Sequence, residues 1–221
     1  MYKTETHLHT AEVSRCSKLR ADEMVKCYHE AGYKTIIVTD HFSFRYMNSL
    51  GDIPWEDKIT IFFHGFYKAR EAAKQFNMNV LMAAEITFPH INNDYLAYGV
   101  TKEFFVSCPN LFQEGLEAFY KKAKEHNVLV VQAHPYRDGK CFPTPQYVDG
   151  IEVYNSNPRH NDYNEKAENF AGENNLYCLA GSDAHRLEDL ALSGILTKIE
   201  IKSSNEFIEI IKSGQYELMK E

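Results

Sequence analysis

The sequence predicts an α/β fold in which a mainly parallel sheet is covered by helices. Apolar runs of strand length alternate along the chain with segments of helical periodicity. The runs are apolar on both faces, as in strands buried beneath helices. The 221 residues, 44% of them hydrophobic, can build one sizeable core. We therefore expect a single domain spanning residues 1–221, of a size compatible with one α/β barrel.

The first half of the chain contains two helix-to-strand units. Apolar residues at helical spacing predict a helix over residues 21–31, ended by Gly32, and residues 35–38 follow as a short strand. A second, longer helix over residues 59–76 is followed by a buried strand over residues 80–84. This repetition favours helices that connect neighbouring parallel strands.

The second half repeats the same arrangement. A helix over residues 112–123 precedes a strand over residues 128–131, and a final helix covers residues 205–212. Further strands are predicted at residues 95–98, 150–154, 176–180 and 195–199. The stretches 42–57 and 135–148 are rich in Gly, Pro and aromatic residues, so we expect irregular loops there that line a substrate pocket.

Composition narrows the possible partners. The formal net charge of -7 disfavours long nucleic acid, which proteins bind through Lys and Arg. The N-terminus lacks the apolar core of a signal peptide, and no apolar run approaches the roughly 18 residues of a membrane span. We therefore expect a soluble, cytoplasmic protein without a membrane partner. The five cysteines are dispersed, so neither a disulfide framework nor a zinc knuckle is indicated.

Candidate metal ligands follow the predicted strands, one short cluster at a time. They are His7, His9, Asp40, His41, Glu85, His134, Asp183 and His185. Because the carboxyl ends of barrel strands form the catalytic face, we expect these side chains to meet there. The His7 and His9 imidazoles point to one side of an extended strand and can chelate one ion. Imidazoles combined with carboxylates suit zinc, manganese or iron better than magnesium.

Each cluster taken alone has a simpler explanation. A His-x-His pair can be a surface feature, and Ser182 with Asp183 can cap a helix. Glu85 can form a buried salt bridge, with Arg70 or Arg137 as the partner. Five clusters at strand ends on one predicted face favour a shared metal centre over these separate explanations.

In their order along the chain, the clusters resemble the motifs of the PHP (polymerase and histidinol phosphatase) family. The matching segments are Thr6-His7-Leu8-His9-Thr10, Thr39-Asp40-His41, Ala84-Glu85, Ala133-His134-Pro135 and Gly181-Ser182-Asp183-Ala184-His185. They extend over nearly the whole chain. The resemblance implies a distorted (βα)7 TIM-like barrel, two or three divalent ions and phosphoester hydrolysis.

The resemblance also implies how the ligands are shared. The expected sets are His7, His9, Glu85 and Asp183 for one ion, Glu85 and His134 for a second, and His41 and His185 for a third. Asp40 is expected to orient an imidazole rather than to bind metal.

The chain departs from the family pattern at two positions. Many members carry a His or Asp shortly beyond the His-x-His motif, where this chain has Cys16. Cys16 is a candidate ligand beside His41 and His185, or a free buried cysteine. Many members also carry a histidine before the His-Pro motif, where Asp94 or Asn93 could substitute.

The expected function is that of a metal-dependent hydrolase. The substrate would be a small phosphorylated molecule, such as a phosphomonoester of the histidinol phosphate kind, attacked by a metal-bound hydroxide. Asp40 and His185 are expected to assist, with His185 as the proton donor. Asn155 is expected to orient water or substrate. Four arginines are candidates for binding the phosphate: Arg137, Arg15, Arg45 and Arg159.

Two alternatives remain open at this stage. A nuclease or nucleotide phosphoesterase could stack bases on aromatic residues of the first irregular stretch, namely Phe42, Phe44, Tyr46 and Trp55. The protein could also be a catalytically weak, metal-binding regulatory module.

Overall fold

Strands and helices alternate through most of the chain in the computed structural model, which describes residues 1–220. The strands are β1 (Tyr2–Leu8), β2 (Tyr33–Val38), β3 (His41–Ser43), β4 (Asn79–Thr87), β5 (Asp94–Tyr98), β6 (Leu129–Gln132), β7 (Gly150–Asn155), β8 (Tyr177–Gly181), β9 (Ser193–Thr197) and β10 (Tyr216–Lys220). The helices are α1 (Ala21–Glu30), α2 (Phe44–Ser49), α3 (Trp55–Phe62), α4 (His64–Ala73), α5 (Lys102–Val106), α6 (Leu111–Glu125), α7 (Asn164–Glu173) and α8 (Ser204–Ser213).

Seven of the strands form a nearly closed barrel. Their order is β1-β2-β4-β5-β6-β7-β8, and the chain beyond β8 returns to β1 through a parallel bridge between Leu8 and Ala184. The Thr6 hydroxyl also donates to the Ala180 carbonyl at 2.6 Å. At its other end β1 pairs with β9 instead, and β10 pairs with β9 outside the barrel. The distorted barrel implied by the motifs is therefore confirmed.

The sheet is less parallel than predicted. β5 runs antiparallel to both β4 and β6, and β9 runs antiparallel to β1 and β10. A parallel crossover needs a dozen or more residues, whereas only residues 88–93 separate β4 from β5. The short connection therefore forces a hairpin-like reversal.

Two further predictions, one of a helix and one of an irregular loop, also need correction. The helix expected over residues 59–76 is divided at Phe63 into α3 and α4. The stretch 42–57, expected to be irregular, contains β3, α2 and the start of α3. The stretch 135–148 is largely irregular, with two short 3₁₀ turns. After the break, α4 packs Gly65 against Thr10 and Asp40. Local apolar periodicity cannot reveal such a break, because it depends on contacts with distant residues.

The interior face of the barrel is apolar at one end and polar at the other. Along β4, Leu81 and Ala83 pack into an apolar cluster with residues of β6 and α8. Glu85 follows on the same face, because side chains of a strand alternate between its two faces. Met82 and Ala84 point the other way, into a separate aromatic-rich core beneath the helices. Within residues 1–220, no helix combines the length and apolar character needed to cross a bilayer.

Candidate metal centre

β1 and β4 bring the first group of predicted ligands together. The Nε2 atoms of His7 and His9 lie 3.1 Å apart, and each is 3.4 Å from an oxygen of Glu85. Asp183 Oδ1 lies 3.2 Å from His9 Nε2 and 3.5 Å from His7 Nε2. All four side chains are almost fully buried. Glu85 lies inside β4 rather than after it, because β3 pairs with this part of β4 and extends it, with His41 opposite Glu85.

A second group lies on the other side of Glu85. His134 Nε2 is 3.1 Å from Glu85 Oε1 and 3.9 Å from Asp94 Oδ2. The Asn93 amide is turned away, donating to the Phe142 carbonyl and accepting from the Phe142 amide. Of the two residues considered as substitutes for the missing family histidine, Asp94 therefore reaches the site and Asn93 does not.

A third group consists of stacked imidazoles. The His9 ring stacks on both the His41 and the His185 ring, with a centroid separation of 4.3 Å to each, and those two rings lie 5.7 Å apart. His41 Nδ1 is 2.7 Å from Glu85 Oε2. His185 Nδ1 donates to the Asp183 carbonyl at 2.8 Å, which leaves its Nε2 free. His9 thus belongs to this group as well as to the first, which the motif resemblance did not imply.

The donor atoms suit divalent ions. Four sets of three residues each place one ligand atom per residue within 4.8 Å of the others: His7, His9 and Glu85; His7, His134 and Asp183; Glu85, Asp94 and His134; His9, His41 and His185. Two of the carboxylate oxygens are in buried ion pairs: Glu85 Oε2 lies 2.7 Å from His41 Nδ1, and Asp183 Oδ2 lies 2.7 Å from an Arg137 nitrogen. Buried carboxylates need opposite charge nearby, and bound cations would add to it. Converging nitrogen and oxygen ligands of this kind fit zinc, manganese or iron.

The electrostatics favour the metal-binding forms of His9 and Glu85, but not of every candidate ligand. Burial opposes protonation of His7 and His41, yet buried carboxylates, Glu85 among them, raise the pKa of both imidazoles well above the usual range, so each must release a proton when a metal binds. Burial and the neighbouring His185 and His41 hold the pKa of His9 well below its usual range, so its imidazole is neutral. Burial opposes ionisation of Glu85, but His41 and His7 hold its pKa well below the usual range. Neutral imidazoles and ionised carboxylates are the forms that bind metal.

Two supporting carboxylates were missed by the sequence reasoning. Glu152 accepts hydrogen bonds from His7 Nδ1 at 2.8 Å, the His134 amide at 3.0 Å and the Asn155 side chain at 2.9 Å. The bond to His7 Nδ1 leaves His7 Nε2 free to bind a metal. The available signal was a lone carboxylate inside the apolar run of β7.

Glu5 is the second missed carboxylate. One of its oxygens accepts from the His7 amide at 2.9 Å and the Ser182 amide at 3.0 Å, and the other accepts from the Tyr28 hydroxyl at 2.8 Å. It therefore joins β1 to the segment that carries Asp183. A charged residue in a strand that is otherwise buried was the sequence signal.

Asp40 acts on a loop rather than directly on an imidazole. Its carboxylate accepts from the Thr10 amide and the Ser14 hydroxyl, both at 2.7 Å. Ser14 in turn lies 3.4 Å from His9 Nδ1. Burial raises the pKa of Asp40 to about 6, although the Thr10 and Ser14 hydrogen bonds oppose this shift. The expected contact with an imidazole is therefore indirect.

The contacts of Arg137 and Asn155 differ from those expected for a phosphate clamp and for an orienter of water or substrate. Arg137 contacts Asp162 at 2.8 Å and Asp183 Oδ2 at 2.7 Å, and its side chain is 16% exposed. Arg137 therefore holds Asp183, and part of its side chain also lines the cleft. Asn155 is buried and donates to Glu152, so it orients a carboxylate rather than water or substrate.

An open cleft of about 280 Å³ lies over the three groups. Its lining includes predicted ligands and, at the rim, Cys16, Asn157, Arg159, His160 and Arg186. Arg15 and Arg45, two of the four candidate phosphate clamps, are not part of this lining.

Cys16 is exposed at this rim. Partial burial opposes ionisation of its thiol, but interactions with His185 and His41 lower its pKa to about 6. Cys16 is free but exposed, so the alternative of a buried cysteine is wrong.

Two of the predicted ligands have an unusual backbone. His134 and Asp183 have positive φ angles, 28° and 49°, a region that residues other than glycine rarely adopt. Such conformations cost about 1–3 kcal/mol each and concentrate at functional sites. Both residues therefore have a strained backbone, and their side chains are buried among the candidate ligands.

Comparison with known proteins agrees with the motif resemblance. A family model described as PHP-associated matches residues 161–216. No curated protein matches the chain. A two-domain Bacteroides vulgatus protein containing a predicted PHP-like metal-dependent phosphoesterase has a similar structure, with a TM-score of 0.69 and 15% identity. That similarity covers 99% of this chain and 64% of the Bacteroides protein, so the chain spans less than two thirds of it.

Two further solved structures share the fold. A candidate metal-dependent phosphoesterase from Bifidobacterium adolescentis is 14% identical with a TM-score of 0.60, covering 96% of both chains. A lesion-specific endonuclease from Pyrococcus furiosus is 14% identical with a TM-score of 0.61, covering 99% of this chain and 57% of the endonuclease. This chain is therefore similar to PHP-like proteins in its barrel fold and in the matched C-terminal segment.

Proposed function

We propose that this protein is a metal-dependent phosphoesterase that hydrolyses a small phosphorylated molecule. The observation that carries the proposal is the convergence of His7, His9, Glu85 and Asp183 on one buried point, with their ligand atoms about 3 Å apart. A cleft of about 280 Å³ is close to the lower limit for small-ligand pockets, which favours a small substrate.

The chemistry requires two or three divalent ions, for which zinc, manganese and iron fit the donors best. Such ions bind phosphoryl oxygens and make a water molecule a stronger nucleophile near neutral pH. The chain supplies the remaining functions. Glu85 contacts His41 through one oxygen and His134 through the other, so it would serve as a ligand shared by two of the groups. Arg159, 27% exposed and paired with Asp189, is placed to bind the phosphate at the cleft rim. His185 belongs to the imidazole set with His9 and His41, so in this proposal it would bind an ion and would not act as the proton donor expected from the sequence.

The first experiment measures metal content and hydrolysis together. Protein purified without chelator should contain zinc, manganese or iron and should hydrolyse an aryl phosphate. Glu85→Gln should lose metal and lower kcat/KM by more than about 10³-fold, because a bridging carboxylate would be removed. Glu168→Gln, which alters an exposed partner of Lys220, is the matched control and should leave both unchanged. Metal-replete protein that hydrolyses no member of a broad phosphoester panel would contradict the proposal.

A nuclease or nucleotide phosphoesterase is the second candidate, because one protein of similar fold is an endonuclease. The base-stacking surface expected for that activity is incomplete, because Phe42 is fully buried in the aromatic core. Phe44, 45% exposed, remains accessible. Trp55 is committed to a hydrogen bond with the Phe105 carbonyl at 2.8 Å. A faster reaction with oligonucleotides or phosphodiesters than with monoesters would favour this candidate. Tight metal binding without any turnover would instead favour a regulatory module.

A further inference from the structure

Asp189 is a fully buried carboxylate that the chemistry above does not use. It ends the short 3₁₀ turn Leu187–Asp189, which follows the last motif. Its Oδ2 atom accepts from the His185 amide at 2.8 Å and from the Arg186 amide at 2.9 Å. Its Oδ1 atom is ion-paired with Nη1 of Arg159. The carboxylate therefore joins two separate segments, because each oxygen contacts a different one.

Arg159 lies in the segment after β7 and is held there through its backbone as well. Its amide donates to Asn157 Oδ1 at 3.1 Å. Asn157 is buried and in turn donates its side-chain amide to the Asp183 carbonyl at 3.0 Å. Arg159 is therefore anchored at its backbone beside one candidate metal ligand and at its side chain by Asp189.

The Arg159 guanidinium keeps donors for a ligand. The pairing with Asp189 occupies Nη1, and within residues 1–220 neither Nε nor Nη2 of Arg159 makes a hydrogen bond. The side chain is 27% exposed and lines the cleft together with His185. The planar fork of a guanidinium matches the oxygens of a phosphoryl group. The free edge of Arg159 is thus suited to an anion in the cleft.

The two other arginines that line the cleft are placed differently. Arg137 Nε is 2.8 Å from Asp162 and its Nη1 is 2.7 Å from Asp183, so buried carboxylates occupy two of its nitrogens. Arg186 is 46% exposed, and its partner Glu188 is exposed and 3.8 Å away. Among these three arginines, Arg159 alone combines a buried carboxylate partner with a free edge.

We propose that Asp189 is a positioning residue that holds the Arg159 guanidinium over the metal centre, where its free donors bind the phosphoryl oxygens of the substrate. Because the same carboxylate accepts from the His185 amide, the arginine keeps a fixed place relative to the imidazole group. A binding group that is already fixed need not be ordered when the substrate arrives. The proposal rests on the proposed function in taking a phosphoryl group as the ligand of the cleft.

Inorganic phosphate is the probe, because its binding is measurable without turnover. Isothermal titration of manganese-loaded protein gives its Kd. Asp189→Asn keeps an oxygen for the turn amides but removes the charge paired with Arg159, so we expect Kd to rise about 10-fold. Arg159→Ala should raise Kd by about 10- to 100-fold, because hydrogen bonds to a charged group are lost. Asp22→Asn, which breaks an exposed pair with Arg20, is the matched control and should leave Kd unchanged.

A double variant separates positioning from a purely structural role. In the Arg159→Ala background, Asp189→Asn should change the phosphate Kd by less than about 2-fold, because no guanidinium is left to position. A purely structural role would weaken phosphate binding in both backgrounds and would lower the manganese content. Circular dichroism checks the fold of each variant. If Asp189→Asn does not fold, Asp189→Ser is the second variant, since its hydroxyl still accepts from a turn amide, and the same loss is expected.

The kinetics of an aryl phosphate give an independent measurement. Asp189→Asn should raise KM about 10-fold and change kcat by less than about 3-fold, because a contact made equally in the ground state and the transition state affects KM alone.

The outcomes distinguish this proposal from the proposed function. Wild-type protein that binds no phosphate, unchanged Kd and KM in Asp189→Asn, or equal losses in both backgrounds would each overturn the positioning role. Hydrolysis by wild type together with any of these variant results would leave the phosphoesterase proposal standing. Phosphate binding that weakens only when Asp189 and Arg159 can no longer pair would support the positioning role, even in a protein that hydrolyses no phosphoester.

Discussion

At the scale of single residues, the centre depends on side chains outside the candidate ligand sets. Glu152 connects the His7 imidazole, the His134 amide and Asn155. Glu5 connects His7 to Ser182, next to Asp183. Glu152 fixes the direction of the His7 imidazole, whereas Glu5 holds the backbone of His7 and Ser182 in place. Ligand geometry here is therefore a property of the layer of residues beneath the ligands.

Glu152→Gln should weaken metal binding without unfolding the protein. The amide keeps the size of the side chain but removes the charge that stabilises the Nδ1-protonated form of His7, so we expect an affinity loss of about 10- to 100-fold. Isothermal titration with Zn²⁺ measures the loss. Glu168→Gln on α7 is the exposed control and should bind as wild type does. Unchanged zinc affinity in Glu152→Gln would show that His7 needs no such support.

Arg137→Ala should destabilise the metal-free protein more than the metal-loaded protein. Arg137 is paired with the buried Asp162 and Asp183, and removing one partner of buried ions costs about 3 kcal/mol. Bound metal would neutralise Asp183 and recover part of this loss. Urea denaturation with and without Zn²⁺ measures both free energies of unfolding.

Arg186→Ala is the control for that comparison. Arg186 is 46% exposed and lies 3.8 Å from its partner Glu188, so its loss should cost under about 1 kcal/mol. An equal cost of Arg137→Ala in both metal states would contradict the pairing of Arg137 with a metal ligand.

At the scale of secondary structure, close packing of α4 sets the position of the loop after β1. Gly65 on α4 is so near this loop that a Cβ atom would lie 2.1 Å from Thr10 Oγ1 and 2.6 Å from Asp40 Oδ2. Thr10 and Asp40 are themselves hydrogen-bonded at 2.7 Å. The helix can approach this far only because residue 65 has no side chain.

Gly65→Ala should therefore destabilise the protein although alanine is the better helix former. Overpacking of this kind costs about 1–3 kcal/mol. Gly172→Ala on α7 is the matched control, since a Cβ there meets nothing within 4 Å and should stabilise the helix by about 0.5–1 kcal/mol. Thermal unfolding of both variants gives the comparison. A stabilised Gly65→Ala protein would show that α4 is free to move away from Asp40.

At the scale of the whole molecule, folding and metal binding should be linked. The centre joins residues from β1, β3, β4 and the chain beyond β6 and β8, so only the folded barrel assembles it. A ligand that binds the folded state alone adds about 2.7 kcal/mol of stability at 100 times its Kd. For a protein of this size we expect Zn²⁺ to raise Tm by about 5–10 °C.

A thermal scan with added Zn²⁺, then with excess chelator, measures this linkage. Glu85→Gln should show a much smaller rise in Tm because it lacks the shared ligand. An equal rise in wild type and Glu85→Gln would place the stabilising zinc at another site. That residues 1–221 form one PHP-like domain stays a prediction.

The sequence by itself determined the candidate ligands, their order and the α/β class. Strand-length apolar runs followed by His, Asp or Glu are local patterns, because both the burial of a strand and the residue that follows it can be read from consecutive positions. The resemblance of the motif order to the PHP pattern then implied the distorted barrel.

Only the tertiary structure decided which ligands share a point and which residues support them. Contacts between distant segments set the direction of β5, the break at Phe63, the stacking of His9 on two other imidazoles and the pairing of Arg137 with Asp183. Local periodicity cannot encode such contacts, since they are set by how strands and helices pack against one another. The same reason explains why Glu5 and Glu152 emerged as supports only once the barrel had brought them beneath the ligands.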